Sequence, residues 1–128
     1  MPYDRLFNAE KKRFEVRFHG RVTVDEIIRN YMEMIRSRDW SPEVLRLIVV
    51  ENGSDLSEIT IDTFQNEFLQ VLDETAEIAG PPNKNAWVFE SELTSPIAKV
   101  WELMPAAQER DLFRVFSSAQ DAITWLEG

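Results

Sequence analysis

Three acidic side chains lie at helical spacing near the middle of the chain. Asp55, Glu58 and Asp62 follow an i, i+3, i+7 pattern, which places side chains on one face of a helix. Three carboxylates on one face could hold a hard divalent cation. The same residues also suit the start of a helix, with Asp55 as the N-cap and Glu58 as its capping-box partner. This second interpretation needs no ligand, and we predict no metal site.

A second group of polar residues follows the apolar run "AWVF". Glu90, Ser91 and Ser95 belong to this group, together with Glu92 and Thr94. In parallel α/β folds, ligands favour the loops beyond the carboxyl ends of the strands, and the loop "ENGSD" should open on the same edge. These two loops are therefore the best candidates for polar ligand contacts. The alternative is that they are helix caps and ordinary solvated loops.

The residue types that usually carry catalysis are scarce. His19 is the only histidine, and it falls on the polar phase of an alternating strand, where we expect it to be exposed. The chain has no cysteine, which removes disulfides, thiolate zinc sites and a cysteine nucleophile. The four glycines do not form a nucleophile elbow, a dinucleotide loop or a phosphate loop. We predict no catalytic residue and no cofactor.

Four tryptophans are the other chemically conspicuous residues. Trp87, Trp101 and Trp125 fall on elements that should face a core, and Trp40 falls in a loop. We expect them to pack in the interior, with Trp125 as a buried residue that closes the core beneath the last helix. The alternative is a ligand cavity, lined by these rings together with other large apolar side chains: Met32, Met34, Phe64, Phe68 and Met104.

Hydrophobic periodicity supplies the elements that must position these residues. The predicted order is β-β-α-β-α-β-α-β-α, which implies one domain over residues 1–128 and a mainly parallel sheet whose first two strands form an antiparallel hairpin. The predicted strands are "YDRLFN", "RFEVRFHG", "RLIVVEN", "AWVFES" and "LFRVF". The first predicted helix is "TVDEIIRNYMEMIRSRDW", with a Thr23–Glu26 capping box. The second has an apolar stripe of Ile61, Phe64, Phe68 and Leu72 and stops at "AGPPN". The third is "TSPIAKVWELMP", and the fourth is "SSAQDAITWLEG", with a Ser117–Gln120 capping box.

Composition limits the classes of function. With 128 residues, of which 44% are hydrophobic, the chain can bury one core, and no apolar run approaches the length of a membrane span. No secretory signal is recognisable, so we expect a cytoplasmic protein. The net charge is −9, and residues 47–83 contain eight acids and no Lys or Arg. Such a field repels phosphate backbones, which argues against nucleic-acid binding. It either attracts a basic partner or keeps the surface solvated.

Several of these segments together resemble a known family. The segments are "GRVTVDEI", "RLIVVENGSDLSE", "NAWVFESELTSPIAKVW" and "LFRVFSSAQDAITWLEG". In order and spacing they resemble the SpoIIAA-like family, which is related to the STAS domains of anti-sigma-factor antagonists. The resemblance implies a curved β-α superhelix with four helices, packed mainly on one side of a four- or five-stranded sheet. Many members have no assigned activity, and the usual suggestion is binding of a small apolar molecule or lipid, or regulation through protein contacts.

The resemblance also suggests a phosphorylation switch. STAS antagonists carry an Asp-Ser-Ser-Gly-like turn whose serine is phosphorylated by a partner kinase. Here Asp55-Leu56-Ser57 is similar to the start of that motif, and Asp62-Thr63 is similar to the phosphosite after a one-residue gap. Phe64 stands in place of the second serine, and no glycine follows. A switch of this kind requires Ser57 or Thr63 to be exposed at a helix N-terminus.

Taken together, the residues and the resemblance predict a non-enzymatic binding or regulatory module. It would act through protein contacts or through a small apolar ligand. Two alternatives stay open: a phospho-switch antagonist that uses Ser57 or Thr63, and a hydrolase or lyase that uses the carboxylates near Asp55 and Glu90. The edge strand "YDRLF" invites pairing between copies, which would give a homodimer.

Overall fold

The fold is built on one mixed sheet. The computed structural model describes residues 3–59, 61–63, 66–67, 69–80, 83–90 and 113–128. These residues form a five-stranded sheet with β1 (Tyr3–Asn8), β2 (Arg13–Phe18), β3 (Leu45–Val50), β4 (Asn85–Phe89) and β5 (Phe113–Phe116) in sequence order. The helices are α1 (Val24–Ile35), α2 (Ile61–Thr63), α3 (Leu69–Glu74), α4 (Ala76–Ala79) and α5 (Ala119–Glu127).

Strand directions confirm the predicted topology. β1 pairs antiparallel with β2, whereas the pairs β2–β3, β3–β4 and β4–β5 are parallel. Parallel neighbours need a crossover that returns the chain to the same end of the sheet, and α1 supplies one between β2 and β3. The amino-terminal hairpin and the mainly parallel sheet are therefore both present.

The central strand β3 is buried on both faces, as the run "RLIVVEN" predicts. Ile48 and Val50 belong to the larger core cluster, while Leu47 and Val49 belong to the smaller cluster on the opposite face. The unbroken apolar run from Leu47 to Val50 puts apolar side chains on both faces, and both must be covered. In the described part of the chain, α1 contributes to the larger cluster and α5 to the smaller one.

Helix α1 begins and packs as its sequence predicts. The Thr23 hydroxyl accepts a hydrogen bond from the Glu26 backbone N–H at 3.3 Å, which is the predicted N-cap contact. The helix ends at Ile35, well before Pro42 would have stopped it. Its inner face contributes the following buried residues: Val24, Ile27, Asn30, Tyr31, Met34 and Ile35.

The second predicted helix occurs as short helices in the described residues. Two residues of its expected stripe, Phe64 and Phe68, lie outside those residues. At the junction of α3 and α4, the Thr75 hydroxyl donates to the Val71 carbonyl at 2.6 Å. Such back-bonding competes with the regular backbone ladder and commonly bends a helix. The predicted stop is confirmed, because Gly80 follows α4 with a positive φ of 76°.

The last helix is capped one residue later than predicted. The Ser117–Gln120 capping box is wrong, since Ser118 is the N-cap and its hydroxyl accepts from the Asp121 backbone N–H at 3.4 Å. The reason is the extended backbone of Ser118, which keeps this residue outside the helix and places its side chain over the first turn. The predicted helix "TSPIAKVWELMP", with Trp101, lies outside the described residues. Among the helices described, none has both the length and the apolar character that crossing a bilayer requires.

We predict that Gly80→Ala destabilises the protein more than Gly53→Ala. Both glycines have a positive φ, but an added Cβ at Gly80 would lie 2.9 Å from Pro42 Cγ, whereas nothing lies within 4 Å at Gly53. The backbone conformation alone should cost about 1–2 kcal/mol at either position. The contact with Pro42 should bring the loss at Gly80 to about 2–4 kcal/mol.

Urea denaturation followed by circular dichroism gives both free energies of unfolding. Equal losses in the two variants would show that the close approach of Gly80 to Pro42 does not constrain the fold.

Candidate functional site

Glu90, the first residue after β4, lies beside the loop that follows β3 at one edge of the sheet. The Glu90 backbone N–H donates to the Val50 carbonyl at 3.1 Å, which continues the β3–β4 pairing beyond the strands. The Glu90 carboxylate accepts from the Asn52 backbone N–H at 3.3 Å. The carboxyl ends of neighbouring parallel strands are therefore joined through one acidic side chain.

A third segment joins this edge from the other side. The Asp55 backbone N–H donates to the Gly20 carbonyl at 2.7 Å, and the Val22 N–H donates to the Asp55 carbonyl at 2.9 Å. These bonds form a short parallel bridge between Asp55 and Arg21. The loop after β3 is thus fixed against the segment that leads from β2 into α1.

We call this edge the strand-end surface. It consists of polar residues that are exposed, apart from the half-buried Glu51: Arg17, Arg21, Glu51, Asn52, Asp55, Ser57, Glu58 and Glu90.

The bridge overturns the interpretation of Asp55 as a helix N-cap. Helix α2 begins only at Ile61, and Ser57 and Glu58 lie in a turn. The Asp55 carboxylate instead accepts from the Ser57 backbone N–H at 2.9 Å. Glu58, the expected capping-box partner, pairs with the Arg21 guanidinium. The physical reason is that backbone pairing with the 20–22 segment holds Asp55 extended and delays the helix.

Arginines from β2 and from the segment after it neutralise the acids of the strand-end surface. Arg17 lies between two carboxylates, 3.9 Å from Glu51 and 3.5 Å from Glu90. Periodicity places Arg17 on the polar face of β2, but only the parallel register with β3 shows which loop it reaches. Sequence reasoning therefore missed Arg17 and Arg21 as members of this surface.

The two predicted phosphorylation residues differ in accessibility. Ser57 is exposed and lies in the turn that precedes α2, while Thr63 is half-buried at the last residue of α2. The phospho-switch requires exposure at a helix N-terminus. Ser57 is exposed but lies in a turn ahead of α2, so it meets only the first part of that condition. Thr63 is less accessible to a kinase. Asp62, its neighbour, is exposed.

Ser57 favours the charged form of the Asp55 carboxylate. Hydrogen bonds from the Ser57 hydroxyl, and then from its backbone N–H, lower the pKa of Asp55 below its ordinary value. Arg21 lowers the pKa of Asp55 further by its positive charge. A general acid at neutral pH needs a raised pKa, and Asp55 is shifted in the opposite direction.

The proposed carboxylate triad does not form a cluster. Among the residues that the structure describes, no three His, Asp or Glu side chains come together in a way that could hold a metal ion. Glu58 is instead engaged by Arg21. Of the second candidate group, only Glu90 is described, since Ser91 and Ser95 lie outside the described residues together with Glu92 and Thr94.

His19 and the hairpin form a separate contact near the same end of β2. His19 follows β2, its side chain is 41% exposed, and its Nε2 lies 3.4 Å from the Asp4 carboxylate. Asp4 belongs to the edge strand β1, so the single histidine links the two strands of the hairpin. It lies outside the strand-end surface.

The described tryptophans mainly serve packing. Trp87 is 3% exposed and stacks against Phe18 and Phe89, with ring centroids 6.1 Å away in each case. Met34, another residue expected at a ligand cavity, is 1% exposed within the same core. Trp40 lies in a loop as predicted, and its indole N–H donates to the Ala79 carbonyl at 3.0 Å.

Trp125 is half-buried, so the prediction of a fully buried ring is correct only in part. Its ring packs against Phe116 at 5.8 Å, and two cations, Lys84 and Arg114, lie 5.3 and 5.8 Å from its centroid. The Lys84 ammonium also donates to the Trp125 carbonyl at 2.9 Å. The buried positions of α5 are instead Ala122 and Leu126.

Comparisons with known proteins identify no relative. No protein-family model matches the chain, and neither a curated protein nor a solved structure is significantly similar to it. The resemblance to SpoIIAA-like proteins therefore stays a prediction from the sequence.

We predict that Ser57→Ala raises the pKa of Asp55 toward its ordinary value, and that Ser57→Glu raises it further. Alanine removes the hydroxyl bond and keeps the backbone bond, while glutamate adds repulsion between two carboxylates. Because the pKa of Asp55 is lowered by folding, its bonds stabilise the fold above the ordinary Asp pKa. That stability is lost as the pH falls through the lowered value.

A carbon-detected NMR titration of the Asp55 carboxyl measures these shifts. Ser117→Ala, at an exposed serine elsewhere, serves as the control and should leave the titration unchanged. An unaltered Asp55 pKa in Ser57→Ala would contradict the assigned hydrogen bonds.

We predict that Trp125→Ala lowers the free energy of unfolding by about 1–3 kcal/mol, because this side chain is only half-buried. Trp87→Ala, at a fully buried ring, should cost about 3–5 kcal/mol. Chemical denaturation followed by far-ultraviolet circular dichroism compares the two. A loss at Trp125 as large as that at Trp87 would show that α5 covers its ring more completely than the structure indicates.

Proposed function

We propose that the protein is a non-enzymatic regulatory module that binds another protein through its strand-end surface. We further propose that it is a cytoplasmic, SpoIIAA-like protein and that its mixed sheet belongs to the STAS-like β-α superhelix. The observation that carries the functional proposal is the strand-end surface itself. Three chain segments are locked together there by backbone bonds, and their charged side chains of both signs point to solvent.

A surface of this kind favours protein recognition. Rigid backbone lowers the entropy lost on binding, and side chains of both signs give an electrostatic pattern that a partner can match. Arg17 pairs with Glu90, and Arg21 pairs with Glu58. A basic group of the partner could replace the arginine of a pair, and an acidic group could replace the glutamate.

The same contacts disfavour the hydrolase or lyase alternative. Acid–base catalysis by two carboxylates needs them at different pKa values and free to reach the substrate. Glu90 is instead engaged by Asn52 and Arg17, and Asp55 is engaged by Ser57. The lowered pKa of Asp55 keeps it ionised at neutral pH.

Packing of the described core favours protein contact over a small apolar ligand. The side chains that could line a cavity are close neighbours within the core, with Trp87 stacked between Phe18 and Phe89. Phe18 is 0% exposed and Met34 1%. An apolar ligand would have to displace these aromatic contacts, each of which contributes beyond simple burial.

The exposure of Ser57 supports regulation by phosphorylation as a second candidate function. A phosphate on Ser57 would add up to two negative charges beside Asp55 and close to the Arg21–Glu58 pair. Arg21 could then exchange its carboxylate partner for the phosphate, which would free Glu58. The partner surface would change its charge pattern without any change in the sheet.

A homodimer through β1 remains part of the proposal. β1 is an edge strand of the described sheet, and its Leu6 side chain is 57% exposed. Antiparallel pairing of two copies about Leu6 would bury this side chain against its counterpart.

We predict that native mass spectrometry of the protein, purified from the cells that naturally produce it, will show a complex with a second protein. Glu90→Lys should abolish this complex, because it reverses the charge at the centre of the strand-end surface. Glu77→Lys makes the same charge change at an exposed position of α4 and should retain the complex. Circular dichroism confirms that both variants are folded.

Other masses separate the alternatives in the same spectra. A retained small apolar molecule without a protein partner would contradict the proposal and favour the ligand alternative. A covalent phosphate on Ser57 would support the switch, and a mass of two chains would support the homodimer. A partner that survives Glu90→Lys and is lost in Glu77→Lys would place the contact elsewhere.

A further inference from the structure

The opposite end of the sheet carries a cationic side chain inside the fold. Arg46 is the second residue of β3, and its partners in the pairing register are Phe14 on β2 and Asn85 on β4. It follows the alternation that places Ile48 and Val50 on the face of α1, so its side chain leaves the sheet on that face. The residue as a whole is half-buried.

Arg46 has no anionic partner among the described residues. No described carboxylate lies within ion-pair distance of its guanidinium, in contrast to the arginines of the strand-end surface. No described side chain or carbonyl accepts a hydrogen bond from the Arg46 guanidinium. Burial lowers the pKa of the Arg46 guanidinium, and the opposing effect comes from Tyr31. A half-buried cation without a counter-charge is costly to the fold.

One face of the guanidinium is covered by an aromatic ring. The Arg46 Cζ atom lies 5.7 Å from the centroid of the Trp40 ring, and Trp40 is itself fixed by its bond to the Ala79 carbonyl. A ring over the guanidinium face leaves the N–H edge available, and this edge is the part that binds planar oxyanions.

The neighbouring Asn85 is also unsatisfied. Its Oδ1 atom is buried and receives no hydrogen bond from any residue that the structure describes. Its side chain leaves the sheet on the same face as that of Arg46. Tyr31 and Thr75 do not provide that donor, because the Thr75 hydroxyl donates to Val71 and accepts from Tyr31 at 3.2 Å. The site therefore offers several donors on Arg46 and one buried acceptor on Asn85.

We propose that Arg46 and Asn85 bind a small oxyanion that carries a hydroxyl group, such as dihydrogen phosphate or a short hydroxycarboxylate. The oxyanion accepts from the guanidinium edge and supplies the counter-charge. Its hydroxyl donates to Asn85 Oδ1. The ring of Trp40 lies over the guanidinium, and Tyr31 is close enough to influence its charge. This site is separate from the strand-end surface and does not depend on the function proposed there.

Two matched pairs of ions test the proposal by thermal unfolding at pH 6 and constant ionic strength. Phosphate is compared with sulfate, and lactate with acetate, because each pair differs in the hydroxyl group. We expect phosphate and lactate to raise the Tm of the wild-type protein in a saturable manner, and sulfate and acetate to act more weakly. Equal effects of all four anions would overturn the requirement for a hydroxyl.

Variants then assign the effect to the two residues. Arg46→Met should weaken phosphate binding by at least about tenfold, because it removes the charged donors. Asn85→Leu should reduce the phosphate effect to that of sulfate. Arg114→Met is the matched control, since Arg114 also lies over a tryptophan, at 5.8 Å from the Trp125 centroid, but is exposed. It should leave phosphate binding unchanged.

A spectroscopic measurement keeps the test independent of variant stability. The Nε–H resonance of Arg46 is assigned as the one that disappears in Arg46→Met. Arg46→Lys serves the same purpose if the methionine variant does not fold. In the wild-type protein this resonance should shift on titration with phosphate. A resonance that does not move, or one that moves identically with sodium chloride, would overturn the site. So would phosphate stabilisation of Arg46→Met equal to that of the wild type.

Discussion

Parallel pairing of the central strand β3 with its two neighbours is the constraint on which the rest of the structure depends. Both faces of β3 are buried, so α1 and α5 must each cover one side of it. Parallel register also brings the ends of β2, β3 and β4 to the same edge. The backbone bonds of Glu90 to Val50 and of Asp55 to Gly20 extend that register into the loops, and the strand-end surface follows from it.

The parallel register determines which acidic and basic side chains meet in the fold. The acidic run from residue 47 to residue 83 contains no Lys or Arg, and in isolation it suggests an unpaired negative field. In the fold, Arg17 on β2 pairs with Glu51 and Glu90. Arg21, in the segment after β2, pairs with Glu58. Exposed pairs of this kind add little stability. Their main consequence is a surface of mixed sign that a protein partner can recognise.

The sequence predicts elements better than it predicts contacts between them. The alternation of Phe14, Val16 and Phe18, the capping box at Thr23 and the stop at Gly80 each depend on nearby residues, and each is confirmed. The prediction that Asp55 is an N-cap is wrong because it rests on local spacing alone. Backbone pairing with Arg21, which is distant in sequence, holds Asp55 extended. The buried surroundings of Arg46 and Asn85 were missed for the same reason, since their proximity arises only from the β3–β4 register.

The two ends of the sheet are linked through that same register. A slip of β4 by one residue would place Lys84 or Ala86 opposite Arg46, and would turn Trp87 away from Phe18. The stacking of Trp87 between Phe18 and Phe89 opposes such a slip, because it would cost the burial of two large rings. Core packing therefore fixes Asn85 beside Arg46 at one end of the strands and Glu90 beside Asn52 at the other. The aromatic core thus positions both polar sites, although it belongs to neither.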